Sequence, residues 1–222
     1  MRQFEEILTI AADRKGGADA VLKDAKQPLS ADALSAIPDD RWLAQMARGI
    51  FQAGISWTVV DTKWPEIEDA FDAFDVGRTA MMSDDRFDAY VKDRRVIRSA
   101  PKIRAIQENA VFIQEIAAEV GSFGRKIGDW PSEDLIGLLQ WLKTEGSRLG
   151  GGTGQYLLRF MGKDSFVLSR DVVARLIAEG VIDKPPTSQK AMRAVQDAFN
   201  TWAQQSGQPF NVISRVLAQS ID

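Results

Sequence analysis

The chain has 222 residues, enough for one domain with small lobes, and its 28 Lys+Arg against 31 Asp+Glu leave a net charge of −3. It contains no cysteine and no histidine. Those two zeros exclude disulfide frames, zinc fingers, thiolate or imidazole metal clusters, Ser-His-Asp triads and Cys-His dyads, so any acid–base chemistry must rest on Asp or Glu, helped by Lys, Tyr, backbone and water.

The first ten residues carry charges at Arg2, Glu5 and Glu6 and no apolar run follows them. The uncharged stretch Gly49 to Val60 is too short to span a bilayer. A cytoplasmic protein with no membrane partner is expected. Most segments show the i, i+3, i+4 spacing of helices. Phe4, Ile7, Leu8, Ile10 and Ala11 form one apolar stripe, ended by Gly16-Gly17. Ala18 to Leu22 reads as a short helix, and Ser30 to Ile37 as another that Pro38 stops. Asp39-Asp40 is expected to cap a helix over Arg41 to Gln52, which turns Trp42, Leu43, Met46 and Phe51 inward; Gly54 breaks it. Ser56 to Asp61 follows, and Pro65 is expected to start a helix with Ile67, Ala70, Phe71 and Phe74 on one face.

Asp75 and Ser83 read as further N-caps, Asp85 to Lys92 as an amphipathic helix, and Ala100 to Val120 as the longest periodic run, closed by Gly121. Phe123 to Pro131 reads as loop and Ser132 to Thr144 as helix. After the glycine cluster Gly150 to Gly154, helices are expected over Gln155 to Met161 and Asp171 to Glu179, with a turn at Gly162-Lys163-Asp164 between them. Lys184 to Ser188 is a linker, and helices over Ser188 to Gln205 and Asn211 to Ser220 finish the chain. The expectation is an all-α protein of about ten short helices, organised as a single domain over residues 1–222.

The sharpest local signal is Leu149-Gly150-Gly151-Gly152-Thr153-Gly154-Gln155-Tyr156. A helix ends before it and another begins after it. Glycine tolerates positive φ and close backbone approach, and the N–H groups of the new helix can bind an anion such as a DNA phosphate. No G-K-S/T follows, so it is not a P-loop, and no strand precedes it. A plain helix–helix turn remains the alternative. About fifteen residues on, Phe166-Val167-Leu168-Ser169-Arg170-Asp171 delivers a carboxylate to a helix start. Asp171 either caps that helix or faces a sugar, where it could stabilise positive charge at C1′.

Leu149 to Tyr156 followed by Val167 to Leu176 resembles the helix-hairpin-helix DNA glycosylases, whose hairpin leads, after a helix, to a catalytic Asp at a helix start. The resemblance implies an all-α fold of two helical lobes with a cleft between them. It assigns catalysis to Asp171 and DNA-phosphate binding to Gly150, Gly152, Thr153, Gly154 and Gln155. Tyr156 stands where bifunctional members carry a lyase Lys; a hydroxyl forms no Schiff base, so a monofunctional enzyme without lyase activity is implied.

A second stretch narrows the match. Phe51-Gln52-Ala53-Gly54-Ile55-Ser56-Trp57, with Phe71, Phe74-Asp75, Val96-Ile97-Arg98 and Lys102-Ile103-x-Ala105-Ile106-x-x-Asn109-Ala110, is similar to bacterial 3-methyladenine DNA glycosylase I. The similarity covers roughly residues 40–180; the ends, 1–39 and 185–222, are expected to complete the second lobe. Trp57, Tyr156 and Gln52 become base-binding candidates, Ile55 with Gly54 the DNA wedge, and Lys102 a phosphate contact. Three departures stand out. The zinc that the type I enzyme holds through Cys and His near its termini has no ligands here, so no metal and no cofactor is expected. The family's pocket Glu, eight residues before the Trp, is Gly49. Asp171 falls where that enzyme has a zinc His.

Positive charge gathers locally at Lys92, Arg94, Arg95, Arg98, Lys102 and Arg104, and around the hairpin at Lys143, Arg148, Arg159, Lys163 and Arg170, while the acidic stretch Glu66 to Asp75 is expected to face away from DNA. The leading reading is a monomeric glycosylase that flips and hydrolytically excises alkylated bases, 3-methyladenine first, from double-stranded DNA. Its alternatives are a glycosylase for another modified base, a damage-recognising DNA-binding protein without activity, and an all-α interaction domain.

Overall fold

The computed structural model describes residues 1–23 and 25–221, and among these there is no β-strand. Fourteen α-helices follow one another: α1 (Phe4–Lys15), α2 (Ala18–Leu22), α3 (Ala31–Ser35), α4 (Asp39–Gln52), α5 (Trp57–Ala70), α6 (Val76–Ala80), α7 (Asp84–Lys92), α8 (Ala100–Val120), α9 (Phe123–Asp129), α10 (Leu135–Glu145), α11 (Gly152–Met161), α12 (Arg170–Ala178), α13 (Gln189–Ser206) and α14 (Phe210–Gln219). Short 3₁₀ turns lie at Asp72–Phe74 and Ser132–Asp134. No described helix is long and apolar enough to cross a membrane. The all-α expectation is met, and the chain forms two compact units.

The first unit comprises residues 1–29, 130–138 and 162–222. Its core stacks Phe166 on Phe199 at 4.1 Å, with Phe210 and Trp202 against Phe199. Polar groups tie the two ends of the chain together. The Arg2 backbone N–H and guanidinium donate to the two carboxylate oxygens of Glu179, each at 2.8 Å. Arg175 donates to Glu179 at 3.1 Å, to the Ser220 hydroxyl at 2.7 Å and to the Ser220 carbonyl. Burial penalises the Glu179 charge, but the hydrogen bonds from Arg2 and Arg175 outweigh it and hold the carboxyl below the ordinary glutamate value. Two guanidiniums around one carboxylate repel a cation, and with neither Cys nor His in the chain this end-to-end network does not fit the zinc that the sequence resemblance brings to mind.

The second unit comprises residues 30–129 and 139–161. Trp42, Phe51, Phe71, Phe74 and Phe123 are fully buried in it, and Phe71 stacks between Phe74 at 5.0 Å and Tyr90 at 4.3 Å. Several local expectations change here. Phe123 to Pro131 is not loop: α9 occupies most of it. The Ser122 hydroxyl caps it by accepting from the Arg125 N–H at 3.0 Å, and a distant residue adds a second acceptor, because the Phe123 N–H donates to Asp39 at 2.9 Å. Asp39 therefore does not cap its own helix; α4 starts after Pro38 with no side-chain cap. Burial pushes the Asp39 carboxyl upward. The glycines that suggested loop instead let α9 press on α3. A Cβ on Gly124 would sit 2.2 Å from the Leu34 carbonyl oxygen, and one on Gly128 2.7 Å from that of Ala31.

Pro65 likewise starts nothing; it lies inside α5. Proline in a helix interior removes one backbone bond, and fully buried Val60 and Ile67 on either side, with Trp64 stacked on Phe74 at 5.4 Å, hold the helix together across it. The helix ends at Ala70 rather than running to Phe74. Asp72, Ala73 and Phe74 have φ of 50°, 55° and 62°, a left-handed turn costing about 1–2 kcal/mol per residue. Arg41 donates to the Ala73 carbonyl, and Arg78 and Arg86 pair with Asp72, which holds the turn in place. Elsewhere Ser30, Asp75, Ser83, Ser169 and Ser188 accept from the third residue of the segment they cap, and Gly16 closes α1 at φ 83°.

Candidate functional site

The centre of the second unit's candidate site is a cavity of about 290 Å³ lined by Gly49, Gln52, Ala53, Trp57, Gly152, Thr153 and Tyr156. Three elements meet there. α4 supplies its last turn. Gly54, at φ 76°, lets the chain reverse so that α5 begins at Trp57. α11 begins at Gly152, which brings Tyr156 round to the same cavity.

The walls are aromatic. The Trp57 and Tyr156 rings meet edge to face at 5.0 Å, Phe160 lies 6.1 Å from Trp57 and stacks on Tyr156 at 5.7 Å, and Trp57 and Phe160 remain 41% and 52% exposed. A half-exposed indole backed by two rings presents a fixed π face at little entropic cost. Phe160 was not singled out in the sequence. Its signal was the spacing of four from Tyr156, which puts both rings on one side of α11.

The floor is polar. Gln52, only 7% exposed, donates its amide nitrogen to Asp61 Oδ1 at 3.1 Å. Arg48 donates to the same oxygen through Nε at 3.0 Å and Nη2 at 2.8 Å, and its guanidinium lies 5.2 Å from the centre of the Trp64 ring. Gly49 faces Thr153 closely: a Cβ there would sit 3.2 Å from the Thr153 methyl. Asp61 and Arg48 were also missed, because only the crossing of α5 against α4 brings them to Gln52.

The glycine hairpin is built from one left-handed residue, one close approach and one open position. Gly151 takes φ 60°, and a Cβ on Gly154 would sit 2.4 Å from the Leu149 carbonyl oxygen. Gly152 has nothing within 4 Å of its would-be Cβ. As the first residues of α11, Gly152, Thr153 and Gly154 have no preceding turn to accept from their N–H groups. Fully buried Asn109 anchors the entry to this loop, accepting from the Ser147 N–H at 2.8 Å and donating to its carbonyl at 2.9 Å. Arg148 follows in a left-handed conformation, exposed.

The remaining expected residues are placed as follows. Lys102 closes the C-terminus of α4, donating to the Phe51 carbonyl at 3.0 Å and the Ala53 carbonyl at 2.6 Å, so two of its three protons are committed within the chain. Burial and the nearby Arg148 charge push its ammonium pKa down. Ile55 is half-buried beside exposed Gly54. Of the first basic cluster, Arg95 pairs with Asp69 and Asp93, and Arg104 with Asp84. The acidic stretch is thus a set of ion-pair partners, with Glu68 on Arg41 and Asp72 on Arg86 as well. Lys92, Arg94 and Arg98 stay exposed.

In the first unit, Lys163 is not part of a basic surface; it is buried, and its ammonium donates to the Trp130 carbonyl. Ser169 caps α12 through the Val172 N–H at 3.3 Å, so Asp171 is not the cap. The Asp171 carboxylate is half-exposed, and its partner is Arg170 Nε at 3.3 Å.

Known proteins resemble this chain in sequence and in fold. Residues 37–134 match the methyladenine glycosylase family model. The 3-methyladenine DNA glycosylase I of Staphylococcus aureus is 22% identical, with a TM-score of 0.51 over 61% of this chain and 79% of that one. A variant of 3-methyladenine DNA glycosylase I in complex with 3-methyladenine is 22% identical, with a TM-score of 0.52 over 64% of this chain and 84% of that one. The 8-oxoguanine glycosylase/lyase of Methanocaldococcus jannaschii, in complex with a 15mer DNA containing 8-oxoguanine, is 10% identical, with a TM-score of 0.53 over 96% of this chain and 95% of that one. The protein therefore has the helical fold of DNA glycosylases, and its similarity to the methyladenine glycosylases, read first from Gln52 to Trp57, extends over residues 37–134.

Proposed function

We propose that the protein is a monofunctional DNA glycosylase of the 3-methyladenine class, which binds double-stranded DNA as a cytoplasmic monomer and hydrolyses the N-glycosidic bond of an alkylated base. The observation that carries this reading is the aromatic-walled cavity beside the glycine start of α11. Its volume of about 290 Å³ is at the small end of ligand pockets and suits a single base. Flipping a base out of the stack costs a few kcal/mol, least for a damaged one. The base stacks on Trp57, and its positive charge, a consequence of alkylation, is attracted to the indole face. Tyr156 closes the pocket. Ile55, presented by the turn at Gly54, takes the vacated place in the helix, and the N–H groups of Gly152, Thr153 and Gly154, with Gly150 shaping the turn, hold a phosphate, while the Gln155 N–H is already given to the Gly151 carbonyl.

Asp171 supplies the carboxylate. The C1′–N bond breaks with its electron pair going to the cationic base, which leaves neutral. The carboxylate stabilises the oxocarbenium-like sugar, water adds at C1′, and Asp171 takes the proton. Such a leaving group needs no strong general acid, which suits a chain without histidine. Tyr156 has no amine for a Schiff base, so the product is an abasic site with the strand intact.

The test is release of free base from methylated duplex DNA by wild type and Asp171→Asn. A loss of about 10²–10³-fold in single-turnover rate is expected for the variant, with no strand nicking by either protein. Tight binding of abasic-site DNA by a wild type that releases no base would overturn the enzyme reading in favour of damage recognition alone.

A further inference from the structure

Gly49 puts no side chain into the cavity, and its closeness to Thr153 leaves a larger residue no room unless Thr153 moves. The polar recognition of a base must come from elsewhere on the wall. Gln52 lies three residues further along α4, on the same helix face, nine-tenths buried and lining the cavity. Its amide has two ends of opposite character, and which end faces a ligand decides what is recognised. Asp61 decides it. A carboxylate only accepts, so the Gln52 nitrogen must turn toward Asp61, as its 3.1 Å contact shows. The opposite orientation would set two oxygens against each other. Arg48 holds Asp61 in position through two donors and balances its charge, so the carboxylate does not need to swing away to find a cation. The Gln52 side-chain carbonyl is left without a hydrogen-bond donor among the described residues.

We propose that Gln52 is the hydrogen-bond acceptor that sets base specificity in this pocket, that Asp61 is the residue positioning it, and that the pair selects 6-aminopurines over 6-oxopurines. An adenine-type base offers an N6 amino donor to the carbonyl, whereas a guanine-type base places its O6 acceptor at the same edge and leaves both oxygens unpaired. The inference rests on the glycosylase reading and adds to it the chemistry of the base edge, recognised by a neutral acceptor in place of a carboxylate.

The test uses duplex DNA treated with a methylating reagent and measures the release rates of 3-methyladenine and 3-methylguanine in the same reaction. Wild type should favour 3-methyladenine by about tenfold or more. Asp61→Leu lets the amide turn over and should bring that ratio close to one. Asp61→Asn, whose side-chain oxygen still accepts from both Arg48 and Gln52, should preserve it. Gln52→Met removes the acceptor and should also level the ratio. The ratio is insensitive to general loss of folded protein. Equal slowing of both bases in Asp61→Leu, or an unchanged ratio in Gln52→Met, overturns this inference and leaves the glycosylase reading standing. A wild type that releases neither base overturns the glycosylase reading itself.

Discussion

Each unit contains an arginine–carboxylate network, and the two differ in burial. Around Glu179 the side chains of Arg175 and Glu179 are 7% and 1% exposed, and the network reaches both ends of the chain: Arg2 donates to Glu179, and Arg175 donates to Glu179 and to Ser220. Around Asp61 the carboxylate is 44% exposed and Arg48 34%, and the network ends on Gln52 in the wall of a cavity. The same chemistry thus carries different consequences. A buried charge without its partner is costly, so the first network ties the termini into the fold. An exposed pair contributes little stability because water competes for both charges, so the value of the second lies in fixing an amide's direction.

Breaking the buried network should give the largest effect. Glu179→Ala leaves the Arg175 guanidinium buried and unpaired and should cost about 3–5 kcal/mol, read from urea unfolding near neutral pH. The sign with pH follows from the lowered folded value of Glu179: its contribution is complete above the ordinary glutamate value of 4.5 and is lost as pH falls through the lower folded value. The gap between wild type and variant should therefore narrow in acid; a gap that is constant with pH would show that the carboxylate's charge is not what binds the ends.

Two glycines of the second unit sharpen the contrast between residues serving the fold and residues serving the site. Gly124→Ala must push α9 off the Leu34 carbonyl and should cost about 1–3 kcal/mol. Gly152→Ala meets nothing within the chain and should stay within about 0.5 kcal/mol of wild type, while its methyl group obstructs the approach of a phosphate and weakens binding to duplex DNA. Equal destabilisation by the two substitutions would remove the distinction. A small effect is also expected from Asp61→Leu, whose stability should change by under about 1 kcal/mol even as its choice of base changes. A large loss of stability there would make Asp61 a structural residue like Glu179.

Much of this was legible in the chain. The boundaries at Gly16, Ala18–Leu22, Ala100–Val120 and Gly121 follow from capping residues and periodicity, which are local. Trp57 and Tyr156 were picked out by motif, and they meet at one cavity. What escaped was set at a distance. Gly124 and Gly128 look like loop residues until α3 lies against them. Pro65 looks like a helix start until the packing of Val60, Trp64 and Ile67 carries α5 through it. Lys102 looks like a surface charge until the C-terminus of α4 is seen to end on it. Asp61 carries no mark at all until α5 places it opposite Gln52.

The sequence by itself determined the helical class, the exclusion of thiol and imidazole chemistry, and the two motifs from which a glycosylase was inferred, because composition and short-range spacing need no partner to be read. Only the tertiary structure decided that Asp39 accepts from the first N–H of α9, that Phe160 backs Trp57 and Tyr156, that the ends are joined through Glu179, and that the Gln52 amide points its nitrogen at Asp61. Each of those depends on two groups far apart in the chain and within about 3 to 6 Å in space, where hydrogen bonds and ring contacts act.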